Sequence, residues 1–428
     1  MSSEKQRSII HVDAAELPEV NGTIILKGSK SISNRVLIIR ALSQNSFDIH
    51  HLSSSDDTVI LNKLLSSKDE ILDAHHAGTT FRFLTAFAAL TGREAILTGS
   101  ERMQQRPVGP LVESLRQLGC RIEYLGNEGY PPLKINAHSG LKSRTVKISA
   151  EISSQFISAL LLTAPVLPEG LEIHLEGSIV SLPYIRMTLK IMEYFGVEHI
   201  WEDHVIRIAH QEYKARDFVV EPDWSSASYY FAVAALSQKA GIFLPGLKKD
   251  SVQGDAAIAE IAAAFGVRTE FTAEGVHISK TGDDKTGQWF EYNFIEQPDL
   301  VQSIAVMAAG LGTTCTYTGL STLKIKETDR IAALQKELQQ FGVHLNLMPA
   351  RFSKRSGIEY YLQEGKASKP DTPVCISTYN DHRMAMAFAP LALKFPLCIE
   401  DPDVVSKSYP EFWQDIRSLG FRLSEAEI

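Results

Sequence analysis

The sequence has no apolar run long enough to span a bilayer. Stretches such as ALLLTAPVL, ending at Leu167, fall well short of the ~20 residues a membrane helix needs. It has no excess of positive charge either: 43 Lys and Arg stand against 51 Asp and Glu, a net charge of −8 with histidine neutral. A chain of that balance repels phosphate backbones unless its cations are clustered, which argues against nucleic acid as a partner. Cysteine is scarce. Cys120, Cys315, Cys375 and Cys398 are widely spaced with no CxxC pair, the pattern expected of four free thiols in a reducing cytosol. No His/Cys cluster has zinc-ligand spacing, and the adjacent pairs His50-His51 and His75-His76 are poorly disposed to share an ion. The patterns G-x4-G-K-[ST] and G-x-G-x-x-G are absent. The opening MSSEKQRSII has neither an apolar leader core nor an Arg-rich transit character, so a cytoplasmic location is expected.

What is present suits a large folded core. Hydrophobic residues make up 44% and charged residues 22% of 428 positions, which excludes disorder, collagen and coiled coil. At roughly 150 residues per domain, two or three domains are expected. A unit recurs along the chain: an amphipathic helix, a glycine, then a pair of strands. Helices end at Gly119, Gly196, Gly266, Gly342 and Gly420, in steps of 77, 70, 76 and 78 residues. A left-handed glycine stops a helix without a Cβ penalty. Strand pairs follow in CRIEYLG-NEG-YPPLKI, VEHIWED-HVIRI and VRTEFT-AEG-VHIS. The helix around DDTVILNKLL makes a sixth unit that lacks the glycine. A period this long points to two closed α/β domains of three units rather than a solenoid.

Polar motifs interrupt this apolar frame. GSKSISNR places Gly28, Lys30, Ser31, Ser33 and Arg35 together, a composition suited to a phosphate or carboxylate. The bland alternative is a polar helix start with Ser33 as its cap. HAGTTFR, SERMQQRPVG (Arg102, Arg106, Pro107) and AEISSQF (Ser153, Ser154, Gln155) have similar content, and such a segment alone is more often a cap or turn than a site. KIKETDR (Lys324, Lys326, Glu327, Asp329, Arg330) and NDHR (Asn380 to Arg383) are denser, and both lead into apolar helices. Lys407 sits between serines. If Lys30, Arg35, Arg106, Lys326, Arg330, Arg383 and Lys407 converge, they describe a pocket for a ligand of several negative charges. Asp299 and Glu327 are then the candidates for proton transfer.

The motifs GSKSISNR, SDDT, AGTTFR, RPVG, SSQF, VSLPYI, SSASY, QGD, PDLVQS, KETDR, NDHRMAM and DPDVVSKSYP run in order from Ile24 to Phe412. In this the chain resembles the 5-enolpyruvylshikimate-3-phosphate synthase family. The resemblance implies an α/β (α+β) fold of two similar domains, each of three βαβαββ units with buried helices, of the inside-out α/β barrel type. Residues 1–27 with 223–428 form one domain and 28–222 the other, with the active site in the cleft between them. It implies transfer of the enolpyruvyl group of phosphoenolpyruvate to the 5-hydroxyl of shikimate 3-phosphate, in a monomer acting on small molecules with no cofactor, metal or membrane.

Matched motif by motif, Lys30, Gly78, Arg106, Gln155, Arg330, Arg383 and Lys407 look like phosphoenolpyruvate contacts. Ser31, Arg35, Ser153, Ser154, Gln155, Ser181, Tyr184, Asp299 and Lys326 look like shikimate-3-phosphate contacts. Asp299 resembles the base that takes the hydroxyl proton. Glu327 resembles the acid/base at the methylene carbon, with Lys30 as the competing assignment. The chain departs from the family at His76 (usually Asn), Phe83 (Pro), Leu182 (Lys), and Thr322 and Lys324 (Asn and Arg); the last two bear on one hydrogen bond to the shikimate. Two alternatives stand beside this reading. A UDP-N-acetylglucosamine enolpyruvyl transferase would carry Lys-Asn where Lys30-Ser31 stands, and a cysteine in the loop Met103 to Arg106. A non-catalytic phosphometabolite-binding homologue would tolerate loss of the acids.

Overall fold

A computed structural model describes residues 8–138, 140–282, 289–371 and 374–427. Residues 1–7, part of the opening segment read above for a leader, lie outside them. The chain divides into two compact units. One runs from Lys27 to Glu221; the other holds the N-terminal residues up to Leu26 and those from Pro222 onward.

Five four-stranded sheets repeat one topology. In the first, strand Ile71–Asp73 runs parallel to Ala95–Thr98, and the hairpin Arg121–Tyr124 and Leu133–Asn136 completes the order. Helices Gly78–Thr91 and Gly109–Gln117 connect the strands, giving βαβαββ. The sheet containing Ala240–Pro245 takes its first strand, Val20–Thr23, from before the chain leaves for the other unit. In the last sheet Arg422–Glu427 pairs with the strand Ser8–Asp13, so its closing hairpin joins the two ends of the chain. The five helix-ending glycines all have positive φ, between 75° and 99°. The sixth unit is shorter than the others. Strands Ile49–His50 and Phe218–Val219 form a two-stranded parallel sheet, and the helix Asp56–Ser66 runs on with neither glycine nor hairpin. Among the described residues no sheet closes on itself.

The two helices of each unit differ in burial. The first is nearly all inside: Gly78–Thr91, Ser154–Thr163, Trp224–Leu236, Val301–Leu311 and His382–Phe388 present few exposed residues. The second is amphipathic, as in Leu182–Tyr194 and Arg330–Gln339. Each large apolar side chain so buried contributes roughly 1.5–3 kcal/mol. Around Trp224, Tyr230, Phe231, Ile304, Phe388 and Phe412 these helices and their sheets make one continuous core in the unit that carries both ends of the chain.

Two expectations are corrected. Cys375 and Cys398 are register partners on adjacent parallel strands and form a disulfide, while Cys120 and Cys315 are free and buried. Neighbouring strands bring together thiols 23 residues apart, which spacing alone does not reveal. Ser33 does not cap its helix. The helix Lys30–Leu42 begins after Ser29, and Ser33 Oγ instead accepts the Ser53 N–H at 3.0 Å. Among the described residues no helix is long and apolar enough to cross a membrane, and no group of three or more His, Cys, Asp or Glu is placed to hold a metal ion.

Candidate active site

In a strand–helix–strand–helix run with parallel strands, both helices start at the same edge of the sheet. Helix starts carry unpaired N–H groups and the positive end of the dipole, so that edge suits anions. The polar motifs of the sequence lie at these starts.

In the unit Lys27–Glu221, Lys30 begins the helix Lys30–Leu42 and its ammonium lies 3.8 Å from Asp57, in the first turn of the next helix. Arg35 is fully buried. It donates to Thr188 Oγ1 (2.7 Å), Ser158 Oγ (3.1 Å) and the carbonyls of Ser31 (2.8 Å) and Tyr184 (3.2 Å), and its guanidinium lies over the rings of Phe83 and Tyr184. Burial pulls its pKa down to about 10, against an opposing pull from Tyr184. Neutral oxygens thus fill its fork, and Ser31 and Tyr184 are fixed by it. Gly78 starts a buried helix where a Cβ would come within 2.6 Å of Arg106 Nη1 and 2.7 Å of Arg82 Nη1. The missing side chain is what lets two guanidiniums approach that helix start. Arg82 donates to Gln155 Oε1 (3.0 Å), and Gln155 Nε2 donates to Thr79 Oγ1 (3.1 Å), so the amide is oriented from both sides. Ser153 caps the helix of Ser154 by accepting the Gln155 N–H. Ser181, with φ of 52°, precedes the helix bearing Tyr184.

The other unit gathers the acids. Arg330 is 2% exposed and donates to three carboxylates: Asp381 Oδ2 (2.7 Å), Asp299 Oδ1 (2.8 Å) and Glu327 Oε2 (2.8 Å). Burial works against its charge, but Asp381, Glu327 and Asp299 outweigh it and raise its pKa. Arg383 Nη2 donates to Asp299 Oδ2 (3.0 Å), and Nη1 reaches Tyr229 Oη (3.4 Å). Lys326 Nζ lies 3.7 Å from Asp299 Oδ1. Burial alone would lift the Asp299 pKa; Arg383, Lys326 and Arg330 reverse this and hold it well below the usual carboxylate range. Lys407 Nζ donates to the carbonyl of Asn380 at 2.5 Å.

The sequence-derived candidates therefore fall into two groups, one in each unit. Of the neighbouring candidates, Lys324 turns outward to Glu359 (3.0 Å), Asp329 caps its own helix, and Arg102 lies 3.4 Å from Gln105 Oε1. Of the departures, His76 lies 3.5 Å from Asp56, Phe83 lies beneath Arg35, and Leu182 is the first residue of its helix. Thr322 is buried, its hydroxyl without a hydrogen-bond partner among the described residues.

Several participants escaped the sequence reading. Asp381 stood in a motif but had no role; it is the fully buried partner of Arg330 and caps the helix of Arg383. Asp255, in QGD, is buried and accepts from Ser225. Burial first and Asp299 second push its pKa up to about 7, while Arg383 and the Ser225 hydrogen bond pull the other way. Tyr229, one helical turn beyond Ser225, is pushed up to about 12 by burial, against the pull of Arg383 and Arg330. A polar residue at the start of an apolar helix was the available signal for Asp381.

Residues 60–416 match the EPSP synthase (3-phosphoshikimate 1-carboxyvinyltransferase) family. A 3-phosphoshikimate 1-carboxyvinyltransferase of Bacteroides fragilis is 44% identical over 411 residues, covering 96% of this chain and 98% of its own length. One from Vibrio atlanticus is 38% identical, covering 94% and 98%. In fold, the chain is similar to an EPSP synthase from Acinetobacter baumannii (TM-score 0.75, 19% identity, 98% and 100% covered). It is also similar to the enolpyruvyl transferase NikO from Streptomyces tendae (TM-score 0.72, 13% identity, 99% and 100% covered). The chain belongs to the EPSP synthase family.

Proposed function

We propose that this protein transfers the enolpyruvyl (1-carboxyvinyl) group of phosphoenolpyruvate to the 5-hydroxyl of shikimate 3-phosphate and releases phosphate, a step toward chorismate and the aromatic amino acids. The observation that carries this is likeness along nearly the whole chain to relatives that bear the name of that activity. One pair of substrates is shared by the two clusters. Lys30, Gly78, Arg106, Gln155, Arg330, Arg383 and Lys407 receive phosphoenolpyruvate. Ser31, Ser153, Ser154, Ser181, Tyr184 and Lys326 receive shikimate 3-phosphate, with Arg35 holding Ser31 and Tyr184 in place.

The reaction adds the hydroxyl oxygen to C2 of phosphoenolpyruvate while C3 gains a proton. The tetrahedral intermediate then loses phosphate from C2 and a proton from C3. Asp299 takes the hydroxyl proton. In the free protein three cations make it a weak base. Substrate anions that draw on Arg383, Arg330 and Lys326 relax that hold, so the base strengthens as the site fills. Glu327 exchanges the C3 proton, with Lys30 the competing donor. The remaining cations face the charge that develops on the departing phosphate.

The test is phosphate release. With both substrates and without added metal, phosphate should appear, and omission of either substrate should abolish it. Absence of release with both present would overturn the assignment.

A further inference from the structure

Helix Arg330–Gln339 grips the loop 377–381 at two points. Arg330 and Glu337 are seven residues apart, two turns along one face. Arg330 holds Asp381, while Glu337 Oε1 accepts from Tyr379 Oη at 2.5 Å and Oε2 accepts the Ser377 N–H at 3.3 Å. Glu337 is 1% exposed and also accepts from Gln340 Nε2. A carboxylate is a poor choice for packing alone, because burying it away from water is unfavourable unless donors hold it.

What the grip maintains lies between the two points. Tyr379 and Asn380 are consecutive non-glycine residues with left-handed backbone, φ 53° and 56°. Such a conformation persists only where its surroundings over-determine it. It turns the Asn380 carbonyl toward the Lys407 ammonium, which donates to it at 2.5 Å.

We propose that Glu337 and Tyr379 are positioning residues that set Lys407 for phosphoenolpyruvate by holding the Tyr379–Asn380 backbone left-handed. This rests on the reading of Lys407 as a phosphoenolpyruvate contact. Loss of the tether should weaken phosphoenolpyruvate binding and leave the chemical step alone.

Steady-state kinetics on the full chain, varying phosphoenolpyruvate at saturating shikimate 3-phosphate, provide the test. Tyr379→Phe and Glu337→Gln should each raise KM by about 3- to 10-fold, the range for one lost hydrogen bond, with kcat within about twofold. In a Lys407→Ala background, Tyr379→Phe should add nothing further. Unchanged KM in Tyr379→Phe, with Lys407→Ala itself raising KM, overturns the positioning role alone. Unchanged KM in Lys407→Ala overturns the contact reading and the positioning role together. If Glu337→Gln folds poorly, Tyr379→Phe still decides, because it removes only the phenol oxygen from a half-buried ring.

Discussion

In the unit Lys27–Glu221, Arg35 donates to two hydroxyls and two backbone carbonyls, whereas in the other unit Arg330 donates to three carboxylates. Both guanidiniums are buried, yet their surroundings have opposite electrostatic character. Around Arg330 the charges compensate one another, so its acids are fixed in geometry and Asp299 stays ionised. Around Arg35 the cation is solvated by neutral dipoles, with no carboxylate contact among the described residues. Carboxylates thus hold the buried arginine of one unit, and neutral oxygens hold that of the other.

The largest expected effect separates chemistry from binding. Asp299→Ala and Glu327→Ala should each lower kcat by about 10²–10⁴-fold while both substrates still bind, measured by turnover and by calorimetric titration. A variant that retained full turnover would remove the substituted acid from the proton-transfer role. Next, Arg330→Met removes the cation that three carboxylates share, with Asp299 keeping Arg383 and Lys326, and should lose about 3–5 kcal/mol in denaturant unfolding. Arg35→Met strands only neutral acceptors and should lose about 1–3 kcal/mol. Equal losses would break the contrast between the units.

Smaller still, Gly78→Ala should push the Arg106 and Arg82 guanidiniums from the helix start and raise KM for phosphoenolpyruvate about tenfold. Glyphosate should compete with phosphoenolpyruvate in the parent protein and lose potency in this variant. The smallest effect concerns pH. The Asp255 carboxyl has a folded pKa of about 7, above the roughly 3.9 of an unfolded Asp. Between those values the folded chain binds a proton that the unfolded chain does not, so stability falls as pH rises through the window and levels off above it. Asp255→Asn removes that decline, and its thermal midpoint should gain on the parent from pH 4 to pH 7. Asp299 has the opposite sign. Its depressed pKa contributes stability present above the unfolded value, lost as pH falls through the folded one. A constant offset between Asp255→Asn and parent across the window would contradict the burial of an ionisable carboxyl there.

The repeat was legible because it rests on local rules. Gly119 or Gly342 can be read from sequence, since a helix that stops at a left-handed residue favours glycine whatever lies around it. The missing glycine after Ser66 likewise marked the unit that lacks a hairpin. The site was legible as motifs but not as partnerships. That Arg35 ends on Ser158 and Thr188, or that Asp381 closes around Arg330, depends on helices packed from distant parts of the chain. Asp255 shows in the sequence only as part of QGD; its burial and its nearness to Asp299 give it a shifted pKa. The Cys375–Cys398 pair was hidden for the same reason: strand neighbours are set by topology.

The most direct measurement follows carbon as well as phosphate. With phosphoenolpyruvate labelled at C2 and C3 and shikimate 3-phosphate present, carbon NMR should show the labelled vinyl group on the ether oxygen of the shikimate ring, in equal amount to the free phosphate. Labelled pyruvate with free phosphate, or unchanged phosphoenolpyruvate, would contradict the assignment of this chain as a carboxyvinyl transferase.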